Sequence, residues 1–234
     1  MNNSFVAIIP AAGNSLRFSS EIRKPFIQIE ERSIVELSLV PILDFSECKG
    51  VCIVIPPDDQ QAKSSIMDNP KVFITEGGNS RTDSVQSGLK FWKESNISFN
   101  HILIHDAARP CLRSSDVKKL ISCLDQEIDG AVLGSPCSDT IKEVSEEELT
   151  ILNTFDRNKL WAAFTPQIFK KESLYSAFRN KSTNLEITDE ASLVEANGGS
   201  LRMVQGHKDN IKLTFPEDLT LIKSILLSQG RLES

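Results

Sequence analysis

An α/β fold with a mostly parallel sheet flanked by helices is predicted by three features of the chain. Short apolar runs alternate strictly with amphipathic stretches through the front half. Each run is rich in β-branched residues and is bounded by Pro, Gly or Asp. The runs are followed by loops that carry small and charged residues, as binding loops at the carboxyl ends of parallel strands do.

Taken in order, Val6–Pro10, Val51–Ile55, Val72–Thr75 and His101–His105 read as buried strands. Ser33–Leu43, Asp58–Met67, Thr82–Glu94 and Ser114–Glu127 carry helical periodicity, and the last opens on Ser114-Ser115-Asp116 as its N-cap. Alternation of this kind requires right-handed crossovers. Gly130–Ser135 supplies a fifth strand. From about Pro136 to Asp156 the chain turns polar, with Thr140–Val144 and Thr150–Thr154 flanking the acidic turn Ser145–Glu148. This reads as a β-hairpin. A lone hairpin is marginal in water, so it is expected to pack against something, most simply a second copy of itself. Helices at Lys171–Arg179, Asp189–Ala196 and Pro216–Ser228 and a strand at Leu201–Val204 complete the chain. The expected organisation is one domain over 1–234 with an arm inserted at about 136–157.

The 234 residues suffice to bury a core, and 40% hydrophobic with 25% charged residues is ordinary for a globular protein. A net charge of −6 disfavours sequence-independent nucleic-acid binding, which needs an extended basic footprint, but leaves room for a local phosphate pocket. No basic segment precedes the run Phe5–Pro10, which is too short for a signal core or a membrane span. Cytoplasmic residence without membrane association is the expectation. Five cysteines without CxxC spacing argue for reduced residues in or near the core, against a zinc site or a disulfide framework.

The chemistry-bearing segments follow the strands. Pro10-Ala11-Ala12-Gly13-Asn14-Ser15-Leu16-Arg17-Phe18 and then Arg23-Lys24-Pro25 combine small residues, which let backbone N–H groups approach phosphate, with cations. This is neither the dinucleotide glycine pattern nor a Walker loop. His105-Asp106-Ala107-Ala108-Arg109-Pro110 offers Asp106 for a ribose hydroxyl or a metal and Arg109 for a phosphate, or an Asp–Arg pair that closes a turn. His105, ending a buried strand, reads as structural. Gly77–Ser84 reads as a turn running into a helix capped by Ser80 or Asp83. Thr188-Asp-Glu-Ala-Ser192 reads as a helix start capped by Thr188, and Lys212 adds one more cation.

Together and in order, the segments His105–Leu112, Asp156-Arg-Asn-x-Leu-Trp161, Thr165-Pro-Gln167, Thr188–Ser192 and Asp209–Lys212 resemble the 2-C-methyl-D-erythritol 4-phosphate cytidylyltransferases of the non-mevalonate isoprenoid pathway, over Ala7 to about Leu226. The resemblance implies a Rossmann-like domain whose protruding β-arm clasps that of a second subunit in a homodimer. It implies CTP and methylerythritol phosphate as substrates. Ala11, Ala12 and Gly13 would line the nucleotide, with Gly78, Asn79 and Ser84 near cytosine. Arg17 and Lys24 would stabilise the triphosphate in the transition state. Asp106, Ala107 and Arg109 would lie between ribose and acceptor. Arg157 and Lys212 would position the acceptor phosphate, with Arg157 and Thr140 reaching across from the partner subunit and Thr165 and Thr188 completing the pocket. A divalent cation, usually Mg2+, would bridge the CTP phosphates, with Asp106 as the candidate protein ligand.

The first loop departs from the family pattern P-A-A-G-x-G-x-R-M followed by P-K-Q. Ser15 stands for the second glycine, Phe18 for methionine and Arg23-Lys24-Pro25 for P-K-Q, while Asn79 stands where an acidic or small residue is common. Arg23 is expected to face water. Two other readings stay open at this point: a polyol phosphate such as ribitol 5-phosphate as acceptor, or a non-catalytic nucleotide-binding homologue.

Overall fold

The computed structural model describes residues 3–13, 23–181 and 188–233. The chain begins with β1 (Phe5–Pro10), continues through the two-residue strands β2 (Gln28–Ile29) and β3 (Arg32–Ser33), and enters α1 (Ile34–Leu43). Ser33 and Glu36 form a reciprocal capping box that fixes where α1 starts. Then come β4 (Cys48–Ile55), the short α2 (Gln60–Ser64), β5 (Val72–Glu76), α3 (Arg81–Glu94), β6 (His101–Ile104), α4 (Ser114–Cys123) and β7 (Gly130–Pro136). The arm is β8 (Lys142–Val144) and β9 (Ile151–Thr154). The remainder is β10 (Trp161–Lys170), α5 (Lys171–Arg179), α6 (Glu190–Ala196), β11 (Leu201–Gln205) and α7 (Asp218–Ser228).

Seven strands form the central sheet in the order β11-β7-β10-β6-β1-β4-β5. All pairings are parallel except those of β10, which runs antiparallel to both β6 and β7. Side chains of β1 alternate between two cores, as a strand buried on both faces requires. Phe5, Ala7 and Ile9 meet Val35, Leu39 and Ile42 of α1 and Val117 and Leu120 of α4. Val6 and Ile8 meet Val85, Leu89 and Trp92 of α3, Leu174 of α5 and Leu193 of α6. Burying a side chain of this size contributes about 1.5–3 kcal/mol, and the Trp92 indole N–H also donates to the Ala7 carbonyl at 3.0 Å. A third cluster docks Ile222 and Leu226 of α7 on Ile34, Leu37, Cys111 and Leu213, which holds the segment after β11 over the sheet's carboxyl edge.

The mostly parallel α/β architecture matches the expectation, and the bounds or caps of α2, α4 and α6 are corrected. α4 stops at Cys123, short of Glu127, because Asp125 turns the chain by accepting the N–H groups of Glu127 and Ile128. α4 also begins at Ser114 after Arg113, with no side-chain cap. α6 is capped by Asp189 in a box with Ser192, and Thr188 lies outside the helix. β10 was not anticipated: Pro166 breaks its sequence pattern, and the pairing with β7 shifts register between Phe164 and Gln167.

The hairpin at 142–154 stands as read, with Lys142 opposite Thr154 and Glu143 opposite Asn153. It exposes apolar surface: Leu149 is 72%, Ile151 60% and Leu152 61% accessible. All five cysteines are free; Cys48, Cys52 and Cys111 are buried, and Cys123 and Cys137 are half-buried. Among the described residues no helix is long and apolar enough to cross a membrane.

Candidate active site

Loops after β1, β5 and β6 converge at the carboxyl edge of the sheet, where the start of β10 and the segments 188–190 and 206–214 join them. Ala11 and Ala12 are buried, and the Ala11 N–H donates to the Val54 carbonyl at 2.8 Å. Gly77 is required there. A Cβ on it would come within 2.7 Å of Val54, 2.8 Å of Ala12 and 2.9 Å of the Ser84 hydroxyl, so only glycine lets the loops after β1 and β5 touch. A Cβ on Gly78 would lie 2.4 Å from that of Asp83. For Gly13, by contrast, no atom of the described residues lies within 4 Å of such a Cβ. Ser80 caps α3 in a box with Asp83, as one of the two cap readings had it. Ser84 is buried and gives its hydroxyl hydrogen to the Ser80 carbonyl at 2.9 Å, while Asn79 is exposed.

Asp106 is the hub. Its backbone N–H donates to the Thr165 hydroxyl at 2.9 Å. Its carboxylate takes Arg81 Nε on Oδ1 at 3.0 Å and Lys212 Nζ on Oδ2 at 2.8 Å, with Arg109 Nε 3.6 Å from Oδ2. Burial on its own would raise the Asp106 pKa, but Arg81, Lys212 and Arg109 outweigh it and hold the group well below the usual carboxylate range. Three cations around one carboxylate suit anionic ligands and do not fit a divalent metal. Among the described residues no cluster of three His, Cys, Asp or Glu side chains could hold one.

Arg109 closes the turn that its segment suggested. Its N–H closes a turn onto the Asp106 carbonyl at 3.1 Å, and its guanidinium donates to the Asn210 carbonyl at 2.8 Å, 5.6 Å from the centre of the Phe164 ring. The Asn210 amide donates to the Thr165 carbonyl at 2.9 Å, and the Leu213 N–H to the Ala108 carbonyl at 2.8 Å. These contacts strap 206–214 across the site and deliver Lys212 to Asp106. Lys24 joins the same strap by donating to the Thr214 carbonyl. Arg23 does not simply face water, since it pairs with Asp59 at 3.4 Å and reaches the Ala12 carbonyl at 3.5 Å.

Four buried polar atoms lack a hydrogen-bond partner among the described residues, and three of them belong to Arg109, Gln167 and Asn210. Each of these residues contacts Asp106, Thr165 or Asp189, so three of the four unmet polar groups belong to residues of this cluster.

His105 is structural. It is fully buried, with Nδ1 3.0 Å from the Thr165 hydroxyl and Nε2 3.2 Å from the Arg109 carbonyl. Burial lowers its pKa from 6.5 to about 4. The unfolded chain therefore binds a proton that the fold excludes in that interval, and stability falls as pH drops from 6.5 towards 4. His105→Asn should remove a pH-dependent loss on the order of 3 kcal/mol over that window. Chemical denaturation of both proteins at pH 7 and pH 4.5 checks this, and equal pH sensitivity would be the contrary result.

The structure thus brings together Ala11, Ala12, Gly78, Ser84, Lys24, Asp106, Ala107, Arg109, Thr165 and Lys212. It does not bring Thr140 or Arg157 to them: both are exposed on the arm, where Arg157 donates to the Ser138 carbonyl at 3.0 Å. Thr188 is exposed beside Asp189, which Gln167 binds at 2.8 Å. Arg17, with Ser15 and Phe18, lies outside the described residues. Sequence reasoning missed Arg81, Glu190, Gln167 and Asn210 as members of the site. All four lie in segments that carried the resemblance or a cap, and the first two were passed over as helix-start residues.

This geometry can be set beside known proteins. A family model described as IspD, 2-C-methyl-D-erythritol 4-phosphate cytidylyltransferase, matches residues 5–228. A 2-C-methyl-D-erythritol 4-phosphate cytidylyltransferase of Aliivibrio fischeri strain MJ11 is 39% identical over 225 residues, covering 95% of this chain and 94% of the relative. The crystal structure of a 4-diphosphocytidyl-2C-methyl-D-erythritol synthase superposes with a TM-score of 0.80 at 31% identity, covering 96% of this chain and 99% of the other. That of the Francisella tularensis cytidylyltransferase superposes with a TM-score of 0.78 at 26% identity, covering 95% and 100%. The resemblance first carried by five short segments extends over nearly the whole chain in both sequence and fold, and the chain belongs to the 2-C-methyl-D-erythritol 4-phosphate cytidylyltransferase family.

Proposed function

We propose that this protein transfers the cytidylyl group of CTP to 2-C-methyl-D-erythritol 4-phosphate, releasing 4-diphosphocytidyl-2-C-methyl-D-erythritol and pyrophosphate. The observation that carries the reading is the cationic cluster of Arg81, Arg109 and Lys212 around buried Asp106 at the sheet's carboxyl edge, in a chain of this family. The nucleophile is a phosphate monoester, largely dianionic at neutral pH because its second pKa is near 6. No base has to activate it, in keeping with a His105 that is neutral, buried and engaged at both nitrogens. The barrier lies in joining two polyanions and in the charge that develops as pyrophosphate leaves, and fixed cations answer both.

On this reading Lys24 and Arg17 act on the triphosphate, while Ala11, Ala12, Gly13, Gly78, Asn79 and Ser84 hold the nucleoside. Asp106, Ala107 and Arg109 lie between ribose and acceptor. Lys212, Thr165 and Thr188 take the acceptor, with Arg157 and Thr140 supplied by a second subunit. The exposed Leu149, Ile151 and Leu152 support that assembly, because a two-stranded arm has no reason to keep such surface wet. Mg2+ enters as part of the nucleotide substrate, carried on its phosphates. The enzyme works in the cytoplasm, with neither nucleic acid nor membrane as partner.

Pyrophosphate release from CTP and Mg2+, compared with methylerythritol phosphate, ribitol 5-phosphate and no acceptor, tests the reading. Release dependent on methylerythritol phosphate is expected. Preference for ribitol phosphate would overturn the acceptor, and binding of CTP without release would overturn the activity.

A further inference from the structure

The two carboxylates and three cations at the site are joined unequally. Arg81, the first residue of α3, donates Nε to Asp106 Oδ1 at 3.0 Å and Nη1 to both oxygens of Glu190, at 2.6 and 2.8 Å. Glu190, the first residue of α6, is only 2% exposed. Burial pushes its pKa up, with Arg81 pulling the other way. Asp106 Oδ2 takes Lys212, whose side chain is 45% exposed against 32% for Arg81 and 16% for Arg109. One oxygen of Asp106 is therefore bound to a braced cation and the other to a cation that faces solvent.

We propose that Arg81, braced by Glu190, is a positioning residue that lets Lys212 leave Asp106 for the phosphate of the acceptor. The proposal rests on the cytidylyltransferase reading above. With Lys212 in place, Asp106 and Glu190 are outnumbered by Arg81, Arg109 and Lys212, and the cluster carries one net positive charge. When Lys212 departs, the remaining four groups are neutral in sum. That balance matters because both carboxylates are buried, and a buried charge without compensation is costly. Without Arg81, the departure of Lys212 would leave net negative charge in the site, so Asp106 would retain Lys212 against the incoming phosphate. Arg81 thereby governs acceptor binding without touching the acceptor. Glu190 takes Nη1 with both oxygens while Asp106 takes Nε, so the planar guanidinium is held at two of its nitrogens.

Two substitutions at this one ion pair should act with opposite signs on acceptor binding. Arg81→Gln should raise the acceptor KM about tenfold or more, with a smaller change in the CTP KM. Glu190→Gln leaves surplus positive charge after Lys212 departs, so its acceptor KM should stay at or below that of wild type. The double variant Arg81→Gln/Glu190→Gln restores the balance and should recover most of the acceptor KM. A strut that only kept the site folded would lower turnover and thermal stability in both single variants, without this split.

The test is two-substrate steady-state kinetics on the three variants, with thermal unfolding of each. An unchanged acceptor KM in folded Arg81→Gln would overturn the proposal, as would a double variant no better than that single one. Should Arg81→Gln fail to fold, a raised acceptor KM in Glu190→Gln would overturn it as well. Wild-type enzyme is assayed first. Absence of acceptor-dependent pyrophosphate release there would count against the functional reading itself, and this proposal would fall with it.

Discussion

Lys24→Ala is expected to lower turnover about a thousandfold, or about 4 kcal/mol of transition-state stabilisation, while the KM for methylerythritol phosphate stays within about threefold of wild type. The ammonium donates to the Thr214 carbonyl, two residues from Lys212. That carbonyl bond keeps the side chain extended towards the site; a triphosphate would offer the same ammonium a far stronger, charged acceptor. Pro25 and Phe26 are buried, and Pro25 fixes the turn that carries Lys24, so the charge is placed by backbone before any ligand arrives. Because charge on the leaving pyrophosphate grows only as the bond to it breaks, a cation aimed there contributes mostly to the rate. Measurement of kcat and both KM values decides the matter. An unchanged kcat with a raised acceptor KM would place Lys24 on the acceptor side.

How much of this was legible in the sequence depended on whether a signal was local. β1, β4, β6 and β7 could be read because strands inside the sheet bury both faces and leave continuous apolar runs, whereas Val72–Thr75, read as a buried strand, forms the edge strand β5 and has no fully buried residue. β10 could not be read. Its first three residues are exposed, its next six are buried, and Pro166 falls inside the buried part, so neither alternation nor an unbroken apolar run marks it. α2 was read from Asp58 to Met67 but spans only Gln60–Ser64, since Asp59 caps it and apolar residues beyond Ser64 pack without helix.

The site shows the same division. Asp106, Arg109 and Lys212 were each singled out from their segments, yet their meeting joins positions 106 residues apart in the case of Lys212. Arg81 and Glu190 are 109 residues apart, and each opens a helix. Capping alone explained the residues around them, and nothing local asked for a long-range partner. The strap 206–214 had only Lys212 to recommend it, although Asn210 holds Thr165 and Arg109 in register with it.

A mixture of Lys24→Ala and Arg157→Ala proteins, each almost inactive by itself, is expected to regain about a quarter of wild-type activity once subunits have exchanged. Arg157 and Thr140 are exposed on the arm, and no hydrogen bond or ion pair between described residues ties Arg157 to the Asp106 cluster of its own chain. The arm is stitched by few contacts, such as Lys142 Nζ to the Thr154 hydroxyl at 2.7 Å, and its apolar side chains are left for another surface to cover. A two-fold dimer clasping two arms would carry each Arg157 to the other subunit's site. Half of the molecules in an equilibrated equal mixture are then mixed dimers, and each has one site with both Lys24 and Arg157 intact and one with neither. If Arg157 instead served its own subunit, every site in a mixed dimer would lack one cation and mixing would recover nothing. The assay is pyrophosphate release before and after exchange, with mixed dimers verified by differential tagging. Inactivity of verified mixed dimers would return Arg157 to its own chain and leave the arm a purely structural clasp.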